Sequence, residues 1–182
     1  LIAAHLHQLK IRFFAKAEYW HHRLGAWFFN ATGQRPVDRS ARDIQREVVG
    51  VGVELLRTES RTVLLLYPES TRSYDGKVHA GGLSPARIAI QADVPLVPIG
   101  LVGMEKIQPP GKKLWQLRPF RRAGIHIGAP IYPWAAGSRP EGVIKGAIET
   151  IEAKVLTERA MRAIADLCGK DYSPDRLKIP GR

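Results

Sequence analysis

Glu69, Ser70, Thr71 and Arg72 occupy consecutive positions just after an apolar run, Thr62 to Tyr67, that Pro68 closes. A carboxylate, two hydroxyls and a guanidinium so close together can hold an oxyanion. The planar fork of arginine matches phosphate oxygens, hydroxyls donate to them, and a neighbouring carboxylate fixes the fork. Further cations stand where other apolar stretches stop: Lys16 follows Ile11 to Phe14, and Asp38-Arg39 follows Arg35-Pro36-Val37, where the acid can orient the base beside it. Lys16, Asp38, Arg39, Glu69, Ser70, Thr71 and Arg72 together describe a phosphate cradle without a general base. An Asp75-Gly76 turn after a strand also forms without any function, so the loop by itself reads equally well as punctuation.

Other chemistries drop out on residue type. The single cysteine, Cys168, leaves no Cys-x-x-Cys zinc site, and its place among helix-like residues makes it an ordinary packing residue. No His-Glu-x-x-His, P-loop or Gly-x-Ser-x-Gly pattern occurs. No metal site is therefore expected.

The elements that must position the cradle alternate along the chain. Leu1 to Leu9 has helical spacing, and Ile11 to Phe14 reads as a short strand. Ala17 to Ala31 places Tyr19, Trp20, Leu24, Trp27 and Phe28 on one helix face, which can be either a core face or a membrane-facing one. Arg35 to Arg39 reads as an edge strand. Ser40 with Asp43 forms a variant capping box for a helix running to about Arg57. Thr62 to Tyr67 has the continuous apolar pattern of a strand covered on both faces. Pro85 opens a helix to about Ala92, and Val94 to Gly103 is a strand that Pro95 and Pro98 make an edge or bulged one. Ile125 to Gly128 alternates as a late strand, with His126 a sheet residue rather than a ligand. From Pro140 the chain is helical, with one stripe of Val143, Ile144, Ala147, Ile148, Ile151 and Val155, and a second of Met161, Ile164, Ala165 and Leu167. Residues 171–182 form a loose tail. The alternation predicts an α/β fold in a single domain spanning 1–182.

Lys and Arg number 28 against 17 Asp and Glu among 182 residues, a formal net charge of +11. That excess suits phosphate-bearing partners: nucleic acid, anionic lipid headgroups or a phosphorylated small substrate. The aromatics cluster on one amphipathic stretch and do not interleave with the arginines as a base-stacking platform would, which argues against nucleic acid. No uninterrupted apolar run here is long enough to span a bilayer.

The order of these motifs resembles the glycerolipid acyltransferases that acylate 1-acylglycerol-3-phosphate. Phe14-Ala15-Lys16-Ala17-Glu18 is similar to the family's segment after its first motif, and Arg35-Pro36-Val37-Asp38-Arg39 to its second. Tyr67-Pro68-Glu69-Ser70-Thr71-Arg72-Ser73 is similar to its Phe-Pro-Glu-Gly-Thr-Arg-Ser signature, and Val94-Pro95-Leu96-Val97-Pro98 to its fourth motif. The likeness continues through Lys106 to Gly111 and to Leu167 to Tyr172, pointing to the actinobacterial branch. It implies a mixed, mostly parallel sheet flanked by helices. It also implies acyl transfer from acyl-CoA or acyl carrier protein, with no other cofactor, to the free hydroxyl of a lysophosphatidic acid. Arg72, Arg39 and Lys16 would hold the phosphate, Glu69 would position an arginine or the glycerol hydroxyl, and Thr71 would donate a hydrogen bond. The partners implied are the lysophospholipid, the acyl donor and an anionic membrane surface, with the enzyme peripheral or anchored on the cytoplasmic face of the plasma membrane.

Two positions depart from that pattern. Ser70 stands where the signature has Gly, so a side chain would sit on a backbone that needs positive φ or close substrate approach. Leu83-Ser84 replaces a Lys-Gly pair. The family's His-x-x-x-x-Asp, whose histidine takes the acceptor's proton, is also missing. Five residues after His5, His7, His21, His22, His79 and His126 stand Lys10, Arg12, Ala26, Trp27, Ser84 and Ile131. The pair is expected upstream of Leu1, leaving no catalytic residue in this chain and this fragment inactive by itself.

Overall fold

Parallel pairing organises the N-terminal third of the chain. In the computed structural model, which describes residues 9–37, 44–71, 73–107, 121–134 and 147–177, β1 (Lys10–Lys16) lies between β2 (Arg35–Val37) and β3 (Thr62–Leu65). Phe14 faces Arg35 and Lys16 faces Val37 on one side. Lys10 faces Thr62 and Phe13 faces Leu65 on the other. Parallel neighbours need crossover connections. The first is a 3-10 turn, Ala17–His21, followed by α1 (Arg23–Ala31), and the second contains α2 (Ile44–Thr58). α2 buries Val49, Gly52, Val53 and Leu55. These elements lie in one compact unit, Leu1–Tyr67.

Polar side chains hold the starts of the two returning strands. The Arg12 guanidinium donates through Nε and Nη2 to Glu59 Oε2, at 3.1 and 2.9 Å, and through Nη1 to the Thr32 carbonyl at 2.9 Å. Arg35 adds a 3.3 Å contact to Glu59 Oε1. The buried Gln34 is satisfied on both sides of its amide, accepting from the Phe13 N–H at 2.7 Å and donating to the Thr32 carbonyl at 3.0 Å. Gly33 fits beneath Arg12 with φ of +67°, and any Cβ there would run into the guanidinium.

The second unit, Pro68–Arg182, is built on helix packing with short sheets. β4 (Val78–His79) is followed by α3 (Ser84–Ala92), β5 (Ile99–Val102), α4 (Met104–Ile107), β6 (Gly124–Ile127), α5 (Ala147–Cys168) and β7 (Tyr172–Ser173). β4 pairs with β7 in parallel, and β5 with β6 antiparallel. Ala86, Ala89 and Ile90 of α3 pack on Ala153 and Leu156 of α5, and Val78 packs on Met161 and Ala165. The small alanines let the helices approach closely. The class is α/β, with helices beside mostly parallel strand pairs.

Several elements differ from the expectations. The helix foreseen over Ala17 to Ala31 breaks at His22, whose backbone is extended. A continuous helix would hold Trp20 and Phe29 about 13 Å apart along its axis. The break instead folds the turn back so that Tyr19 and Trp20 stack on Phe29, and Trp20 Nε1–H donates to Asn30 Oδ1 at 2.8 Å. β3 stops at Leu65, short of Tyr67. The strand foreseen over Val94 to Gly103 shrinks to β5 plus an isolated Leu96–Ile131 bridge, because neither Pro95 nor Pro98 has an N–H for the ladder. The C-terminal helix buries Ala153, Leu156, Thr157, Ala160, Met161 and Ala165, while Ile151 and Val155 of the foreseen stripe are exposed. The tail is not loose at its start, since Tyr172–Ser173 pairs with β4. The expected N-terminal helix and the Ser40–Asp43 capping box lie outside the described residues.

Hydrogen bonds from Arg12, reinforced by both arginine charges against the opposing effect of partial burial, hold the Glu59 carboxyl below its ordinary value of 4.5. A lowered carboxylate stabilises the fold above its unfolded value and ceases to do so as pH falls through the lowered one. Glu59→Gln is expected to cost about 1–2 kcal/mol at neutral pH, read as a lower urea midpoint with an unchanged slope, and the deficit should vanish in acid.

Candidate functional site

Since β1, β2 and β3 run parallel, their C-terminal ends lie at one edge of the first unit's sheet, with Lys16 and Val37 in register at the ends of β1 and β2. Lys16 is thus the last residue of a central strand, a position where α/β sheets gather ligands. Asp38 and Arg39, which follow Val37 in sequence, and Arg72 lie outside the described residues.

Glu69, Ser70 and Thr71 belong to the second unit, in a loop that closes on itself. The Gly82 N–H donates to the Pro68 carbonyl at 2.8 Å, and the His79 N–H to Glu69 Oε1 at 2.8 Å. Between these ends, Asp75 Oδ1 accepts from the Lys77 N–H at 3.1 Å and from Ser73 Oγ–H at 3.2 Å, and the Gly76 N–H donates to Ser73 Oγ at 3.0 Å. Gly81 is required by packing: a Cβ would stand 2.9 Å from both Met161 Sδ and Pro68 Cβ. The Glu69 carboxylate therefore has a structural tie through Oε1 in addition to any ligand role.

Ser70 has φ of +57°, the left-handed conformation anticipated for that position. A non-glycine residue pays roughly 1–2 kcal/mol there. Ser70→Gly is expected to be neutral or to stabilise by up to about 1 kcal/mol, and Ser70→Val to destabilise by more than about 1 kcal/mol, in thermal melts of the two variants.

A pair that sequence reasoning missed sits in the same loop. His79 Nε2 lies 2.9 and 3.0 Å from the two Asp75 carboxylate oxygens, and His79 Nδ1 lies 3.2 Å from the Asp175 carbonyl. The acid precedes the histidine here, so a search for aspartate after histidine passes over it. Asp75-x-x-x-His79 in a loop carries no fixed geometry until Gly76, at φ of +80°, turns the chain. His79 is 7% exposed and both of its ring nitrogens are engaged.

Burial alone would depress His79, but its hydrogen bonds to Asp75 and the Asp175 carbonyl outweigh that and raise it above 6.5. The hydrogen bond with His79 leads the causes that bring Asp75 from 3.8 to about 2. The His79 contribution is complete below 6.5 and is lost as pH rises through the raised value. The Asp75 contribution is present above 3.8 and is lost as pH falls through about 2. Melting temperature should therefore show a plateau between these limits that flattens away in Asp75→Asn.

Among the described residues no group of three or more His, Cys, Asp or Glu could hold a metal ion, and no helix is long and apolar enough to cross a membrane.

Comparison with known proteins places these features in context. A family model described as Acyltransferase matches residues 1–102, a span that contains Lys16, Asp38, Arg39 and the whole Glu69 to Arg72 stretch. No curated protein matches the chain significantly. Among solved structures, the chain is similar to the 1-acyl-sn-glycerophosphate (LPA) acyltransferase PlsC of Thermotoga maritima, with 22% identity and a TM-score of 0.49 over 85% of this chain. It spans 57% of that protein's length.

Proposed function

The chain belongs to the acyltransferase family, and from that premise we propose that it moves a fatty acyl group from acyl-CoA or acyl carrier protein to the free hydroxyl of 1-acylglycerol-3-phosphate, giving phosphatidic acid. The observation that carries this reading is that the family match takes in every residue of the phosphate cradle read from the sequence. Arg72, Arg39 and Lys16 are assigned to the phosphate, because two planar forks and an ammonium neutralise a dianion. Thr71 donates a hydrogen bond, and Glu69 orients an arginine or the glycerol hydroxyl. The acceptor hydroxyl attacks the thioester carbonyl as a histidine of the family's His-x-x-x-x-Asp motif takes its proton. The C–S bond then breaks and the thiol leaves protonated. Beyond the two substrates no cofactor is needed for these steps.

The site of action we propose is the anionic cytoplasmic face of a membrane. Support comes from the turn and α1, which bury no residue: Leu24 is 84% and Trp27 70% exposed, with Tyr19 and Phe28 also exposed. Exposed Arg23, His21 and His22 stand on the same segment, and α1 carries no acid. Aromatic side chains favour the headgroup level and cations favour anionic lipid. The same surface favours a second reading, a non-catalytic membrane-binding module. Acceptors such as glycerol-3-phosphate or another lysophospholipid remain within the enzymatic one.

Acyl transfer to lysophosphatidic acid, assayed in the full-length protein, decides between them. Arg72→Ala or Arg39→Ala is expected to lower kcat/KM by about tenfold to a hundredfold, and no transfer to any glycerol-phosphate acceptor would refute the enzymatic reading. Sedimentation with vesicles checks the surface. Binding should require anionic lipid, weaken with salt, and drop severalfold in Trp27→Ala and Leu24→Ala.

A further inference from the structure

We infer that His79 is a positioning residue for the loop of residues 69–79: as an imidazolium donating from both ring nitrogens it fastens the loop to residues 171–175, and the loop's hold on a phosphate weakens when that proton is lost. The binding half of this inference rests on the proposed phosphate-holding role of the loop. The fastening stands on geometry alone. Nε2 faces the Asp75 carboxylate and Nδ1 faces the Asp175 carbonyl; both partners accept, so both contacts are satisfied at once only when both ring nitrogens carry hydrogen. A neutral imidazole would turn a lone pair toward one of them and forfeit that contact.

What the ring fixes is the frame of the candidate site. The His79 N–H holds Glu69 Oε1, one residue before Ser70, and Asp75 in turn organises the Ser73 to Lys77 turn. On the far side, the Ala80 N–H donates to the Asp175 carbonyl at 3.3 Å and the Val78 N–H to the Asp171 carbonyl at 3.0 Å, beside the β4–β7 pairing. One side chain thus ties together segments 96 residues apart in sequence.

The groups facing His79 favour its charge. From the loop come the carboxylates of Asp75 and Glu69, and from the C-terminal segment the Asp175 carbonyl. α5 meets β4 through the apolar Met161 and Ala165, while Arg162 of the same helix is engaged by Glu158 at 2.7 Å and lies over the Tyr172 ring. Burial raises the Tyr172 phenol above its usual value, so it stays neutral while His79 titrates.

The test combines ring nitrogen NMR with binding of sn-glycerol 3-phosphate between pH 6 and pH 8.5. At pH 6 the wild-type His79 should show two protonated nitrogens, and protection of the Ala80 amide from exchange should fall as the ring titrates. Across the same range wild-type affinity should drop roughly fivefold relative to His79→Gln. That comparison removes the phosphate's own titration. Asp75→Asn, at a half-exposed position, should shift both the ring midpoint and the affinity change to lower pH. A neutral ring at pH 6, an unshifted midpoint in Asp75→Asn, or an identical pH profile in His79→Gln overturns the inference. If glycerol 3-phosphate fails to bind at any pH while Ala80 protection still follows the ring, the phosphate role of the loop is refuted and the fastening is upheld.

Discussion

A parallel sheet must bring the chain back to the same end after every strand, and Arg12 sits where both returns arrive. Its Nη1 holds the Thr32 carbonyl, just before β2, and its Nε and Nη2 hold Glu59, just before β3. The Lys10 N–H reaches the Arg61 carbonyl at 2.8 Å and completes the alignment. One guanidinium therefore sets where two neighbouring strands begin relative to β1. With the strand lengths this decides where they end, and so the edge at which Lys16 is presented. An arginine suits the task because its five donors are held in a plane and can serve two acceptors in different directions at once.

The loop of the second unit is held by a different means. Instead of a central cation reaching a carbonyl and a carboxylate at strand starts, it uses backbone N–H groups reaching side-chain oxygens, with His79 joining the loop to a segment remote in sequence. Both arrangements are local polar networks with nearly every member satisfied, the condition under which buried polarity specifies one conformation. Met161 and Ala165 of α5, packed against Val78, supply the apolar support beneath it.

Much of this was legible in the residues. The short apolar runs at Ile11 to Phe14, Thr62 to Tyr67 and Ile125 to Gly128 became strands, and Pro85 opened a helix because its missing N–H is not needed in a first turn. The left-handed backbone at Ser70 is one of the two reasons, with close substrate approach, for the glycine that the signature places there. What could not be read depended on contacts between distant positions. The break at His22 follows from ring stacking across the turn, and the burial of Ala153 in place of Ile151 from which face α3 approaches. The Asp75–His79 pair depended on the path of a turn, and β4 with β7 on a pairing of two-residue strands that no periodicity announces.

Gly33 shows how far the demands of the fold extend from the site. Its space is filled by the Arg12 guanidinium and its backbone is left-handed. A genetic screen scored only on growth or product formation would rank Gly33 beside the arginines proposed to hold a phosphate. Intolerance at this position would then be mistaken for chemistry, when its origin is the volume of one neighbouring side chain.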